Sequence, residues 1–321
     1  MAVKEIKASE LNTKEFIKDK TEEISSAVGA GTAINALSGG VDSSAVTMLG
    51  HKALQDRLKT YFVENGIMRE GEPKRVVSLF KDLGVPVEII DAKKEFFAAL
   101  EGVTDPEQKR EAITQTFYKK VFGRLVKESG AQFLLQGTIL TDVDETIAGI
   151  KRQHNVFEQL GIDPQKAFGY KILEPLVQLR KDGVRKVAKE LGLPESLYNR
   201  IPFPGPALSA RVIGGVTPEK IEIVRKATAI VEDMLKESKA FQYMAILHDD
   251  RVTGIRDKKR EFGMQIEIRC WESVDARTAT PTRLSFDLLE ALADRITREV
   301  PGVVSVTYNI AKKPPSTLEA V

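Results

Sequence analysis

An α/β fold is predicted: a parallel sheet with helices on both faces, followed by a smaller α+β domain. Three observations predict it. Short apolar runs of strand length alternate with helical segments from residue 12 to residue 191, the order that yields a parallel sheet. A tight glycine turn, Ser38-Gly39-Gly40-Val41-Asp42, joins the first strand to the next helix. Prolines at 202, 204 and 206 cannot continue a helix or a central strand, and the pattern changes beyond them.

The elements follow in order. Residues 12–28 carry Phe16, Ile17, Ile24 and Val28 at helical spacing. Thr32–Leu37 is a short, largely apolar strand, and a helix runs from Ser43 through Leu54 after the glycine turn. Lys59–Val63 is the next strand, Pro73–Lys81 a helix, and Pro86–Ile90 a strand; helices precede and follow Asp105-Pro106. Phe133–Gln136 is a further strand, ending at Gly137. Thr141–Tyr170 holds no clear period and is long and polar, the character of a lid or a disordered segment. Lys181–Leu191 restores the helical pattern. The prolines set an expected domain boundary, 1–201 and 202–321. Beyond it are expected a helix at Pro218–Lys236, strands near Met244–Leu247 and Gln265–Trp271, a helix at Arg283–Val300 and a strand at Val303–Asn309.

Composition narrows the class. Lys and Arg total 48 against 46 Asp and Glu, so bulk charge gives no support to a nucleic-acid partner. Charged residues at 29% and hydrophobic ones at 42% are those of a globular domain. The only cysteine, Cys270, cannot form an internal disulfide or a CxxC site. It sits in the strand-like run Gln265–Trp271, which favours a buried structural thiol over a nucleophile. The N-terminus is charged and lacks an apolar core, and no apolar run approaches membrane-spanning length. A cytoplasmic protein without membrane or nucleic-acid partners is expected.

The stretch Ser38-Gly39-Gly40-Val41-Asp42-Ser43-Ser44 carries the chemistry. Glycines permit positive φ and a close approach of backbone N–H groups to a ligand. A helix N-terminus adds unpaired donors and the positive end of a dipole, which together favour an anion. Ser38, Ser43 and Ser44 add hydroxyl donors. A carboxylate beside phosphates is repulsive, so Asp42 either helps to hold Mg²⁺ or caps the helix. The lysine of a Walker A loop is absent. The loop resembles the Ser-Gly-Gly-x-Asp-Ser signature of the ATP pyrophosphatases. That resemblance implies a Rossmann-like domain that adenylates an acceptor with ATP and binds the released pyrophosphate; the loop names the reaction type, not the acceptor.

The acceptor comes from further segments. Gly102–Arg110, Gln136-Gly137-Thr138, Ile150-Lys151, His154-Asn155, Glu174-Pro175-Leu176, Lys181-Asp182, Pro202–Pro206 and Lys313–Glu319 resemble GMP synthase, in that family's order and over nearly the whole chain. The resemblance is to the synthetase subunit of the two-subunit type. It implies an ATP-pyrophosphatase domain over 1–201 with a lid at about 141–170, and an XMP-binding and dimerisation domain over 202–321. It implies ATP and Mg²⁺ as cofactors, XMP as acceptor, a separate glutamine amidotransferase as partner, and a homodimer through the C-terminal domain.

Site residues carry over position by position. ATP is assigned Ser38 through Ser44 together with Gln136, Gly137 and Thr138, at a strand's C-terminal end where open α/β sheets bind ligands. Asp42 and Asp142 are the candidates for Mg²⁺, although a turn-forming role for Asp142 is equally compatible. Lys151 is expected to reach the reacting phosphates from the lid, and His154 lies beside it as a catalytic candidate or a structural histidine. XMP is assigned Arg110, Gln242, Lys313 and Glu319.

The chain also departs from the family pattern. Gln153-His154 stands for two histidines, Asp257–Gly263 for Gly-Asp-x-Arg-Thr-Tyr-Gly, and Glu319-Ala320-Val321 for Glu-Trp-Glu. The change at Pro204-Gly205-Pro206-Ala207-Leu208 and Thr114 in place of a glycine complete the set. The first two changes touch the acceptor or the lid, which keeps open a related ligase with another nucleotide acceptor. A non-catalytic nucleotide-binding protein is the other alternative, and the whole phosphate loop argues against it.

Overall fold

A computed structural model describes residues 3–147, 169–199, 203, 205–274 and 278–317. The chain forms two units. The first is drawn from residues 1–64, 72–91 and 117–200, the second from 65–71, 92–116 and 201–321. Two segments inside the expected first domain, 65–71 and 92–116, therefore belong with the C-terminal unit.

Five parallel strands form the sheet of the first unit: β1 (Ala33–Ala36), β2 (Leu58–Glu64), β3 (Val87–Asp91), β4 (Phe133–Leu135) and β5 (Lys171–Leu173), in the order β3-β2-β1-β4-β5. The chain moves outward from β1 through β2 to β3, then returns to place β4 on the other side of β1. The C-terminal ends of β1 and β4 thus flank the switch point where such sheets bind ligands. β1 is central, and its polar residue is satisfied inside: Asn35 donates to Thr47 Oγ1 at 2.5 Å and accepts from Thr60 Oγ1 at 2.8 Å. The helix Val41–Leu54 lays Val41, Ala45, Val46 and Leu49 into the core. Helix Thr13–Val28 buries Phe16, Ile17, Ile24 and Val28, as its period predicts, and Asn12 caps it by accepting from Glu15 N.

One expectation is corrected. Residues 140–147, at the start of the expected irregular lid, form a helix. Leu140 and Val143 are buried at helical spacing, and Asp142 Oδ2 accepts from Ile139 N at 3.1 Å. That contact is the return half of a capping box. Residues 148–168, with Lys151 and His154, lie outside the described residues.

The second unit is α+β. Expected short strands near 244–247 and 265–271 are parts of one long hairpin, β6 (Gln242–Arg256) and β7 (Lys259–Glu272). Asp257 and Lys258 turn it with positive φ at both positions, 52° and 62°, the geometry that matches strand twist. β8 (Thr280–Pro281) pairs antiparallel with one end of β7, and β9 (Val303–Tyr308) pairs parallel with it. Helix Pro218–Leu235 buries Ile221, Val224, Ala227 and Val231, and helix Phe286–Glu299 buries Leu292 and Ile296. Trp271, Ile266 and Ile268 of β7 are buried with them. Cys270 is buried too, and burial pushes its thiol pKa up, as an inert structural thiol requires. No described helix is long and apolar enough to cross a membrane.

Candidate functional site

The loop after β1 is built by its own hydroxyls. Ser38 N donates to Ser43 Oγ at 3.2 Å, the Ser38 and Ser43 hydroxyls lie 2.9 Å apart, and Ser43 Oγ donates to Gly40 O at 3.1 Å. Gly39 takes φ +78°, a conformation that costs any residue with a Cβ. Gly40 is the N-cap of the following helix and supplies no side-chain cap. The first-turn N–H groups of a helix have no partner within the helix and are open to a ligand. The arrangement suits an anion at the switch point.

Asp42 is divided between two tasks. Its Oδ2 sits 2.6 Å from Lys181 Nζ. Its Oδ1 is buried with no hydrogen-bond partner among the described residues. A buried carboxylate oxygen without a donor is costly, and a cation is one way to satisfy it. The described residues include no cluster of three or more metal-ligating side chains.

Gly137 carries β4 against the loop. A Cβ there would lie 3.1 Å from Asp42 C and from Ser43 N, so a side chain would push the cradle away. Gln136 and Thr138 on either side are buried. Gln136 Nε2 donates to Thr138 Oγ1 at 3.0 Å, and Thr138 Oγ1 donates to Glu174 Oε1 at 2.6 Å. Tyr118 and Tyr170 border this network. Burial, then the neighbouring Tyr170 hydroxyl and the carboxylates of Glu174 and Asp142, raise the pKa of Tyr118; burial pushes that of Tyr170 up to about 12. Both stay neutral hydroxyls beside the carboxylates.

The structure thus brings together Ser38–Ser44, Gly137 and Lys181 in one unit. Lys181 and Glu174 have no role assigned on sequence, although both fall in segments that carry the resemblance. The only local sign for Lys181 is a lysine opening a helix soon after a strand. Its meeting with Asp42 spans 139 residues and follows from topology.

The acceptor candidates that the structure describes fall in the second unit. Arg110 stands on helix Pro106–Gln115, which Asp105 caps by accepting from Gln108 N at 2.9 Å; its Nε lies 3.7 Å from Glu107 Oε1. The neighbouring Lys109 is fully buried and donates to Val212 O at 2.8 Å, pinning this helix to the segment after the prolines. Gln242 begins β6 and is buried. Lys313 pairs with Ala279 through both backbone groups, N to O at 2.9 Å and O from N at 3.1 Å. Glu319 lies outside the described residues.

Comparison with known proteins assigns a family to each end of the chain, and the N-terminal match runs through residues 92–116 of the second unit. Residues 229–320 match the GMP synthase C terminal domain family, and residues 11–120 match the NAD synthase family. A subunit of the glutamine-hydrolyzing GMP synthase of Pyrococcus furiosus is 47% identical over 309 residues, 95% of this chain and 97% of the relative. The subunit of the same name from Archaeoglobus fulgidus is 46% identical over 96% of this chain and 99% of its own length. That of Methanocaldococcus jannaschii is 44% identical over 95% and 98%.

Proposed function

This chain belongs to the family of these glutamine-hydrolyzing GMP synthase subunits, and we propose that it adenylates XMP with ATP and aminates the product to GMP. The observation that carries the reading is the Ser38–Ser44 cradle at the β1/β4 switch point, with Lys181 against Asp42. The 2-oxygen of XMP attacks the α-phosphorus of ATP, and the bond to the bridging oxygen breaks to release pyrophosphate. Ammonia then adds at C2, and AMP leaves with the oxygen that XMP supplied.

The chain's residues do the binding and the charge balancing. Loop N–H groups and hydroxyls hold the pyrophosphate as its charge grows. Lys181 adds a cation at the same place. Asp42 is the residue to hold Mg²⁺, and Asp142 is its proposed companion; the metal would neutralise phosphate charge. Gln136, Gly137 and Thr138 complete the ATP side. Lys151, with His154 beside it, is proposed to approach the reacting phosphates. Arg110, Gln242, Lys313 and Glu319 are proposed to receive XMP, the arginine through its planar fork of donors. The same proposal includes a homodimer through the second unit and a glutamine amidotransferase carried on a separate polypeptide.

The test is direct. With ATP, Mg²⁺, XMP and high ammonium, the purified chain should form GMP and AMP in equal amounts. With glutamine in place of ammonium it should form neither, because its one cysteine is buried in β7, where burial raises the thiol pKa and disfavours a thiolate nucleophile. Glutamine-supported synthesis by the chain alone would refute the two-subunit reading. AMP formation that does not depend on XMP would refute the acceptor.

A further inference from the structure

Lys313 lies midway along a tail that leaves β9 and is anchored at three points. Four residues before it, Asn309 donates through Nδ2 to Glu267 Oε1 at 2.9 Å and through its backbone N to Ile268 O at 3.0 Å. At Lys313 itself the backbone pairs with Ala279. Four residues after it, Thr317 O accepts from Arg269 Nη1 at 2.9 Å. Two of these anchors meet in one carboxylate. Glu267 Oε1 takes Asn309 and also Arg269 Nε at 2.5 Å, while Oε2 lies 2.8 Å from His248 Nε2 on β6.

Glu267 and Arg269 are each only 8% exposed. A buried ion pair gives little net stability over an apolar pair of the same shape, yet breaking one partner is costly. Its effect is therefore geometric: it fixes where its neighbours sit. Alternate residues of a strand share a face, so Glu267 and Arg269 point the same way from β7, and the tail crosses that face. Burial alone would raise the pKa of Glu267; the bonds from Arg269, Asn309 and His248 outweigh it and hold the carboxyl below its ordinary value. Glu267 is therefore ionised near neutral pH, which is the state that accepts all three donors.

We infer that Glu267 is the positioning residue of the acceptor tail: with Arg269 and Asn309 it holds residues 309–317 in the course that presents Lys313 to the XMP phosphate. This rests on the proposed role of Lys313. It goes beyond that role by giving specificity for the acceptor to a buried carboxylate in the unit that does not carry the phosphate loop.

The experiment measures KM for XMP, KM for ATP, kcat and melting temperature for the full chain with ammonium as nitrogen donor. Glu267→Gln removes the charge and turns one acceptor into a donor that faces other donors. It should raise KM for XMP about tenfold and leave KM for ATP and kcat at saturating XMP near the parent values. Asn309→Ala leaves the buried pair intact and should raise KM for XMP in the same direction by a smaller factor. It decides the matter if Glu267→Gln does not fold. Lys313→Ala is the control for the reading beneath. A raised KM for XMP in Lys313→Ala, with Asn309→Ala and any folded Glu267→Gln unchanged, overturns the hub and spares the tail. An unchanged KM in Lys313→Ala overturns both. Equal rises in the two KM values, or a fall in kcat alone, would show that Glu267 serves the fold and not the acceptor.

Discussion

Asp42 and Lys181 show how little of a residue's role lies in its own neighbourhood. Their ion pair is half-exposed, and pairs of that kind contribute only about 0–1 kcal/mol to stability. Asp42→Asn and Lys181→Met should therefore melt close to the parent. Turnover should fall on the order of a hundredfold in each, since Asp42→Asn weakens the proposed Mg²⁺ ligand and Lys181→Met removes a cation beside the proposed pyrophosphate site. AMP production with saturating ATP and XMP checks this. Near-normal production by Asp42→Asn with Mg²⁺ present would reduce Asp42 to a helix residue, and near-normal production by Lys181→Met would reduce the contact to a surface pair.

At the scale of elements, Lys109 offers a pH-dependent handle. It clamps helix Pro106–Gln115 through Val212 O. Burial is the main cause that lowers its pKa from 10.5 to about 8; Lys220 lowers it further, and Asp249 and Asp105 oppose the shift. Below about pH 8 folding bears the cost of burying the charged form. Between the folded and unfolded values the unfolded chain binds more protons, so stability rises with pH. The urea midpoint of the parent should therefore gain on that of Lys109→Met between about pH 7 and about pH 9.5; parallel curves would show that this lysine does not titrate there. Elements differ in how far their sequence announces them. Helix Thr13–Val28 is legible because its apolar period and its Asn12 cap agree. The outer half of the β6–β7 hairpin is not legible, since its turn uses Asp257 and Lys258 without a glycine and its residues are mostly polar. Helix Leu140–Ile147 is hidden for a similar reason, since its buried Leu140 and Val143 stand among polar residues.

At the scale of the molecule, near-balanced charge leaves association to apolar surface. Ile255 and Phe262 are 79% and 58% exposed. The register Thr253↔Phe262 and Ile255↔Arg260 puts both on one face of the hairpin. On the other face Gly254 and Gly263 admit Val304, whose side chain would lie 2.7 Å and 2.5 Å from a Cβ at those positions. The exposed face is the proposed dimer surface. The parent should scatter light as a dimer, and Ile255→Glu with Phe262→Glu should scatter as a folded monomer. A monomeric parent, or a dimeric double variant, would remove this surface from the interface.

The reaction class was settled by local sequence. Seven contiguous residues form the cradle by their own hydroxyls and glycine angles, so its shape depends on nearest neighbours in the chain. Helix caps and the buried apolar stripes are local in the same sense. What the tertiary structure decided is every contact made across long sequence separations. Strand order brought Gly137 against Asp42, sheet topology carried Lys181 to the same carboxylate, and the pairing of β7 with β9 delivered Asn309 to Glu267. The assignment of residues 92–116, with Arg110, to the second unit belongs to this class too. Local pattern specifies dihedrals and faces, while the partner of a buried charge is fixed only once the sheets set which distant residues share a site.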